Sequence, residues 1–241
     1  MSKPSSSPET LGEKMLTGPT NRREFFRFTG LSAAAAALIM PGCQQLGDFI
    51  DEPTAVQAKN AHDLIDLGSG DIGILNYAYA LEQLEAAFYT QVVATPYRNI
   101  NQDESMIMRD LKAHESIHRD FLKLALGAAA IPMLTFNFSS IDFRNRQSVL
   151  RAAQTFEDLG VSAYNGAGQL LENPAFLLVA GKIVSVEARH ASIIRTRLQK
   201  FSFADTTDKN GLDPARLPSE VAPLAQAFIQ ESLSIANLPT V

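Results

Sequence analysis

The chain has 241 residues, 46% of them apolar, and a formal net charge of −5. That length and apolar content fit one domain with a sizeable core, and the negative charge excludes the basic footprint of a nucleic-acid-binding protein. Cys43 is the only cysteine, which excludes an intramolecular disulfide, a cysteine-rich zinc site and a rubredoxin-type iron site.

Residues 1–43 read as an address. A polar Ser/Pro-rich start leads to Asn21-Arg22-Arg23-Glu24-Phe25-Phe26-Arg27, followed by the alanine-rich stretch from Leu31 to Met40. This resembles a twin-arginine export signal: paired arginines, a Phe two residues on, and an apolar run too short to span a bilayer. The rival reading is an amphipathic helix that stays attached. Ile39-Met40-Pro41-Gly42-Cys43 resembles a lipobox, with Gly42 as the small residue before a cysteine that becomes lipid-modified. Met40 and Pro41 depart from that pattern, and a freely secreted protein is the alternative. Residues 1–42 hold five Lys or Arg and three Glu; without them 16 basic and 23 acidic residues remain, a net of −7. Residues 44–70 then form a tether.

From Asp71 the pattern becomes helical. Ile74, Tyr77, Leu81, Leu84, Phe88 and Val92 recur at three and four, and Pro96 ends the first helix. The second runs from about Asp103 to Gly127, with Met108, Leu111, Leu122 and Ala125 on its apolar stripe. The third opens near Asn145 and stops at Asn173-Pro174, carrying Leu150, Ala153, Val161 and Tyr164. The fourth starts at Pro174, a residue suited to a first helical turn, and runs to about Phe201 with Ile183, Ile194 and Leu198. Residues 203–241 form a loop and a short helix over about Pro218 to Ile229.

About eight residues join helices one and two, and one or two join three and four, so each pair is an antiparallel hairpin. Some seventeen residues, Ala128 to Arg144, separate the hairpins. They include an alternating stretch, Leu134-Thr135-Phe136-Asn137-Phe138, that reads as extended. At ~3.3 Å per residue such a span crosses the height of a bundle.

Two strings on these helices carry the same chemistry: Glu115-Ser116-Ile117-His118 and Glu187-Ala188-Arg189-His190. Three residues apart on a helix, Glu and His lie on one face about 5–6 Å apart at Cβ, close enough to share a metal. A further glutamate precedes each pair, Glu82 by 33 residues and Glu157 by 30, and each is followed seven residues later by a tyrosine, Tyr89 and Tyr164. One Glu-x-x-His alone is weak evidence. Its repetition, using two of only four histidines, points to a two-metal carboxylate site: one Glu from each of two helices and Glu-x-x-His from the other two. Each glutamate falls near the middle of its helix, so all six side chains reach a similar depth. Four buried carboxylates cost several kcal/mol each unless compensated, and two divalent cations neutralise them.

With those residues in view, residues 70–202 resemble the ferritin-like superfamily, and most closely its group that includes the plant desiccation-related proteins. Glu82 through Tyr89, Phe156-Glu157-Asp158-Leu159-Gly160-Val161-Ser162-Ala163-Tyr164 and Val186-Glu187-Ala188-Arg189-His190-Ala191 carry the resemblance. It implies an all-α, ferritin-like four-helix bundle over residues 71–202, two hairpins joined by one long crossover. It further implies that Glu82 and Glu157 are terminal ligands, Glu115 and Glu187 bridge, and His118 and His190 each serve one metal. Tyr89 and Tyr164 would hydrogen-bond to the opposing glutamates.

Glu85 competes with Glu82, because Glu85 precedes Glu115 by 30 residues, as Glu157 precedes Glu187. Aligning Glu85 with Glu157 loses the Leu and Tyr matches, so Glu82 is preferred and Glu85 stands as neighbour or alternate ligand. His114 points about 100° away from Glu115 around the helix and reads as a surface residue or a support for the ligands. His62 lies in the tether and receives no role.

Carboxylates with two imidazoles suit two iron or manganese ions, with zinc as a substitute. Such a site acts on O2, peroxide or Fe(II). The expectation is an exported oxidoreductase of the cell envelope, of ferroxidase, peroxidase or catalase type. Its partners are the twin-arginine export machinery and, through a lipid on Cys43, the membrane. The alternatives are a metal-binding stress protein with little turnover and a purely structural bundle. Ligands alone do not choose among these, although complete ligand sets weigh against the structural one. A tethered N-terminus and an irregular crossover suit a closed iron-storage shell poorly.

Overall fold

The computed structural model describes residues 64–241. Arg22, Arg23, Cys43 and His62, with the signal and most of the tether read from the sequence, lie outside the described residues.

Helix α1, Gly70–Ala94, is apolar nearly all round, and the structure buries it nearly all round. Its exit turns at Thr95, whose N–H bonds back to Gln91, and Pro96 prevents continuation. Helix α2, Gln102–Leu126, starts at Asn101, whose side chain accepts from the Glu104 N–H, and stops at Gly127 with φ +54°. That positive φ suits glycine and little else. Helix α3, Arg146–Gly168, is capped by Asn145, which accepts from the N–H groups of Gln147 and Ser148. Helix α4, Pro174–Leu198, is capped by Asn173, with Pro174 in its first turn. Asparagine thus starts three of the four long helices, each side chain satisfying a backbone donor that the helix cannot.

α1 packs mainly on α2 and α3 on α4, while α1 against α3 joins the two hairpins. Their shared core includes an aromatic cluster, with Phe156 edge-to-face against both Phe88 (5.0 Å) and Phe228 (4.9 Å). Ion pairs tie the helices together. Arg146 of α3 holds Glu104 of α2, which also accepts from the Tyr97 hydroxyl at 2.7 Å. Arg195 of α4 bonds Asp158 and Asp205.

Residues 130–145 form the crossover, clasped by two buried amides of α1. Asn76 donates to the carbonyls of Leu67 and Ala129 and accepts from the Ile131 N–H. Gln83 accepts from the Leu134 N–H at 2.8 Å and donates to the Pro132 carbonyl at 3.4 Å. Satisfied in this way, they are tolerable in a core. The extended stretch bridges antiparallel at Phe136–Ile229, with Asn137 N–H donating to Phe228 and Gln230 N–H to Thr135. Ile229 follows the short helix α5, Pro218–Gln226.

Four boundaries differ from the sequence reading, one of them the short C-terminal helix, which ends at Gln226 rather than Ile229 because Ile229 enters the bridge with Phe136. The end of the expected tether is structured: strand β1, Leu64–Asp66, pairs parallel with strand β2, Ser232–Ser234, and Leu67 is buried. A three-residue strand paired with a segment far along the chain leaves no periodic signal. α3 stops at Gly168 rather than Asn173, because Leu170 and Leu171 turn back onto Ala167 and Gly168. The connection to α4 is accordingly five residues, 169–173. α4 ends at Leu198 rather than Phe201, where the Ser202 hydroxyl takes up the carbonyls of Arg195 and Gln199. On α2, Ala125 faces outward and Leu126 is buried in its place. None of the helices among the described residues is long and apolar enough to cross a membrane.

Candidate metal centre

Glu82, Glu115, Glu157 and Glu187 sit at mid-length on α1, α2, α3 and α4 and are fully buried. The 3.6-residue repeat then places His118 and His190 one turn along from Glu115 and Glu187 on the same inward face. The structure brings all six together as two groups, Glu82–Glu115–His118–Glu187 and Glu115–Glu157–Glu187–His190, each with one potential ligand atom per residue within 4.8 Å of the others. Glu115 and Glu187 belong to both groups.

How those two carboxylates are shared decides the chemistry. His118 Nδ1 lies 2.7 Å from Glu187 Oε1, 3.6 Å from Glu115 Oε2 and 3.5 Å from Glu82 Oε2. His190 Nδ1 lies 2.7 Å from Glu115 Oε1, 3.1 Å from Glu187 Oε2 and 3.5 Å from Glu157 Oε2. Each shared carboxylate therefore gives one oxygen to each imidazole. Glu82 and Glu157 serve one group each, and their outer oxygens are tied down: Tyr164 donates to Glu82 Oε1 and Tyr89 to Glu157 Oε1, both at 2.5 Å.

Close approach here does not mean hydrogen bonding. Among the described residues, the buried side-chain polar atoms without a hydrogen-bond partner are the Tyr77 hydroxyl and six atoms of this cluster: Glu82 Oε2, both oxygens of Glu115, His118 Nδ1, Glu157 Oε2 and Glu187 Oε1. Buried polar atoms are normally satisfied. Clustered carboxylate and imidazole atoms that lack hydrogen-bond partners are what a cation can satisfy, so the donor set fits metal ions.

The electrostatics of the metal-free protein agree. Burial, then the charge of Glu187, pushes the Glu82 carboxyl well above its usual range. Burial also dominates at Glu157, raised to about 8 despite its contact with His190. Glu115 behaves oppositely: burial would raise it, but the two imidazoles outweigh burial and hold it at about 2. Burial would lower His118, yet Glu115, Glu187 and Glu82 push it up to about 12, and His190 rises for the same reason. Two imidazolium ions thus offset part of the carboxylate charge.

Glu85 is buried but outside both groups. Its carboxylate lies against Gly160, where a Cβ would come within 3.1 Å of Oε1. Burial, then the charges of Glu115 and Glu157, raises its carboxyl strongly. His114 is exposed, yet its Nδ1 lies 2.9 Å from His190 Nε2. Residues 114–118 also spell H-E-x-x-H, the string in which two histidines share one zinc. Here the two diverge, His118 turning to the carboxylates and His114 to His190. The His114 contact joins different hairpins, and only its place beside Glu115 hinted at it.

A comparison of the chain with curated proteins gives no match. The family model described as "Ferritin-like domain" matches residues 70–200, from the start of α1 to just beyond α4. With a helical bundle and a buried Glu/His cluster able to hold metal in that same span, the chain belongs to the ferritin-like domain family.

Proposed function

We propose that the bundle holds two iron or manganese ions and acts as an oxidoreductase on O2, peroxide or Fe(II) in the cell envelope. The observation that carries this reading is the sharing of Glu115 and Glu187, each with one oxygen beside each imidazole. Glu82 and His118 would complete one position, and Glu157 and His190 the other. Four carboxylates against two divalent ions are neutral, which resolves the cost of burying them. When bound, two redox-active ions supply electrons to a small oxidant held at the pair.

The protein's own part is positioning. Tyr89 and Tyr164 hold the terminal carboxylates in one orientation, and burial with the neighbouring carboxylate charge keeps both phenols protonated as donors. His118 is the most accessible of the six, its side chain 13% exposed, so a small molecule enters along its ring edge.

The envelope location rests on residues 1–43. A twin-arginine route carries folded proteins, so metal could be loaded before export, and a lipid on Cys43 would anchor the domain. The resemblance to desiccation-related proteins offers metal binding without turnover as the second reading. One experiment separates the two: metal analysis of protein purified from its own envelope, then stopped-flow mixing with Fe(II) plus O2 and with peroxide. Two equivalents of metal with rapid oxidation or peroxide loss support the oxidoreductase. Metal without turnover leaves the binding protein, and absence of metal ends both.

A further inference from the structure

His190 has both ring nitrogens engaged, whereas His118 has one. His190 Nδ1 faces Glu115, Glu157 and Glu187, while Nε2 meets His114 Nδ1 at 2.9 Å. The two rings are within 12° of parallel and their centroids lie 5.1 Å apart. With so short an N···N contact, that separation describes rings joined edge to edge by N–H···N, not a face stack. On the other side, His118 Nε2 has no hydrogen-bond partner among the described residues and meets solvent. Overlaying the two Glu-x-x-His strings shows why. The residue before Glu115 is His114, and the residue before Glu187 is Val186, which has no polar group to offer.

We propose that His114 is a positioning residue for one metal position only: it accepts the Nε2–H of His190 and so fixes the tautomer and ring orientation that present the Nδ1 lone pair to the metal. The inference rests on the two-metal reading and extends it. Ligating histidines usually donate their second N–H to a polar partner, and losing that partner costs roughly 10–100-fold in metal affinity. Here the partner comes from the other hairpin, so docking α2 beside α4 both gathers the ligands and orders one of them. The two positions, alike in their ligands, become unequal. The one built on Glu115, Glu157, Glu187 and His190 fills first, and the one built on Glu82 and His118 fills second.

The test uses the full-length protein with Mn2+ titrated stepwise, and Zn2+ as a diamagnetic probe for NMR. His114 is exposed, so its replacement leaves the core intact. The parent should bind two Mn2+ in two resolved steps and, loaded with Zn2+, show a slowly exchanging Nε2–H from His190. His114→Phe, which keeps a ring without an acceptor, should lose that proton signal and weaken the tighter step roughly 10–100-fold, merging the two steps. His114→Gln, which restores an acceptor, should recover much of the separation. A His114→Phe protein that keeps both steps and the proton signal overturns the inference and leaves the two-metal reading standing. A parent that binds neither Mn2+ nor Zn2+ overturns that reading, and the inference with it.

Discussion

Glu115 Oε1 lies 2.7 Å from His190 Nδ1, and the two residues belong to different hairpins. Neither hairpin alone holds a complete ligand group. Glu115 is also held ionised without metal, because both imidazoles flank it. Removing one of four buried like charges would stabilise the metal-free bundle if repulsion alone decided, but the two flanking imidazoles make the loss of Glu115 destabilising.

Glu115→Ala should therefore harm the protein twice. Losing one partner of a buried ion pair costs about 3 kcal/mol, so the metal-free variant should melt several degrees below the parent. The metal-induced rise, about 4 kcal/mol at a thousandfold excess over Kd, should largely vanish. Thermal unfolding of both proteins in chelator and in excess Mn2+ gives both numbers. Equal metal-induced shifts would show that Glu115 is not a ligand.

The pH dependence of the metal-free protein has a definite sign. Glu157, raised from 4.5 to about 8, binds more proton when folded than unfolded across that window, so stability falls as pH rises through it. His118, raised from 6.5 to about 12, extends the decline upward. Glu115, lowered from 4.5 to about 2, makes stability fall as pH drops through that lower window. Melting in chelator should be highest where those windows meet, near pH 4.5, and should decline steadily towards pH 9. Metal binding needs deprotonated ligands, so the loaded protein should lack this decline. A melting temperature that rises from pH 5 to 9 in chelator would contradict the buried charge arrangement.

Gly166 lets the loop before α5 lie against α3, where Arg216 N–H donates to the Ser162 carbonyl. A Cβ at Gly166 would stand 1.8 Å from the Arg216 carbonyl oxygen, a backbone atom that cannot swing aside. Gly166→Ala should cost at least 1–3 kcal/mol and expose residues 203–217 to limited proteolysis. Helix content and metal stoichiometry should be retained. A variant as resistant as the parent would show that the loop sits elsewhere.

For the export and lipid reading of residues 1–43, fractionation is decisive. Cys43→Ala should free the protein from the membrane fraction or stall its maturation, with the bundle intact. Replacing Arg22 and Arg23 with Lys should hold it in the cytoplasm. A Cys43→Ala protein that fractionates and migrates like the parent would leave simple secretion as the answer.

The parts of this molecule legible in the sequence are those written at short range. The helix boundaries near Asn145 and at Asn173-Pro174 are marked in the sequence, whereas the Asn101 cap is not read from it, and the Glu-x-x-His repeat puts paired side chains on one helix face. Competition between Glu82 and Glu85 was a matter of one helical turn, which spacing alone could not decide. It is the phase of α1 against α3, with Gly160 making room for Glu85, that separates them. The pairing of Leu64–Asp66 with Ser232–Ser234 and the meeting of His114 with His190 join residues far apart in the chain. Such contacts depend on how finished helices dock, and no local pattern encodes them.

Glu82 and Gln83 are neighbours on one rigid rod, yet they look to different sides of it. The first reaches His118 and the second grips the strap that runs from one hairpin to the other. The strap and the buried cluster are thus fastened to the same helix, and a single peptide bond separates the side chain that holds one from the side chain that faces the other.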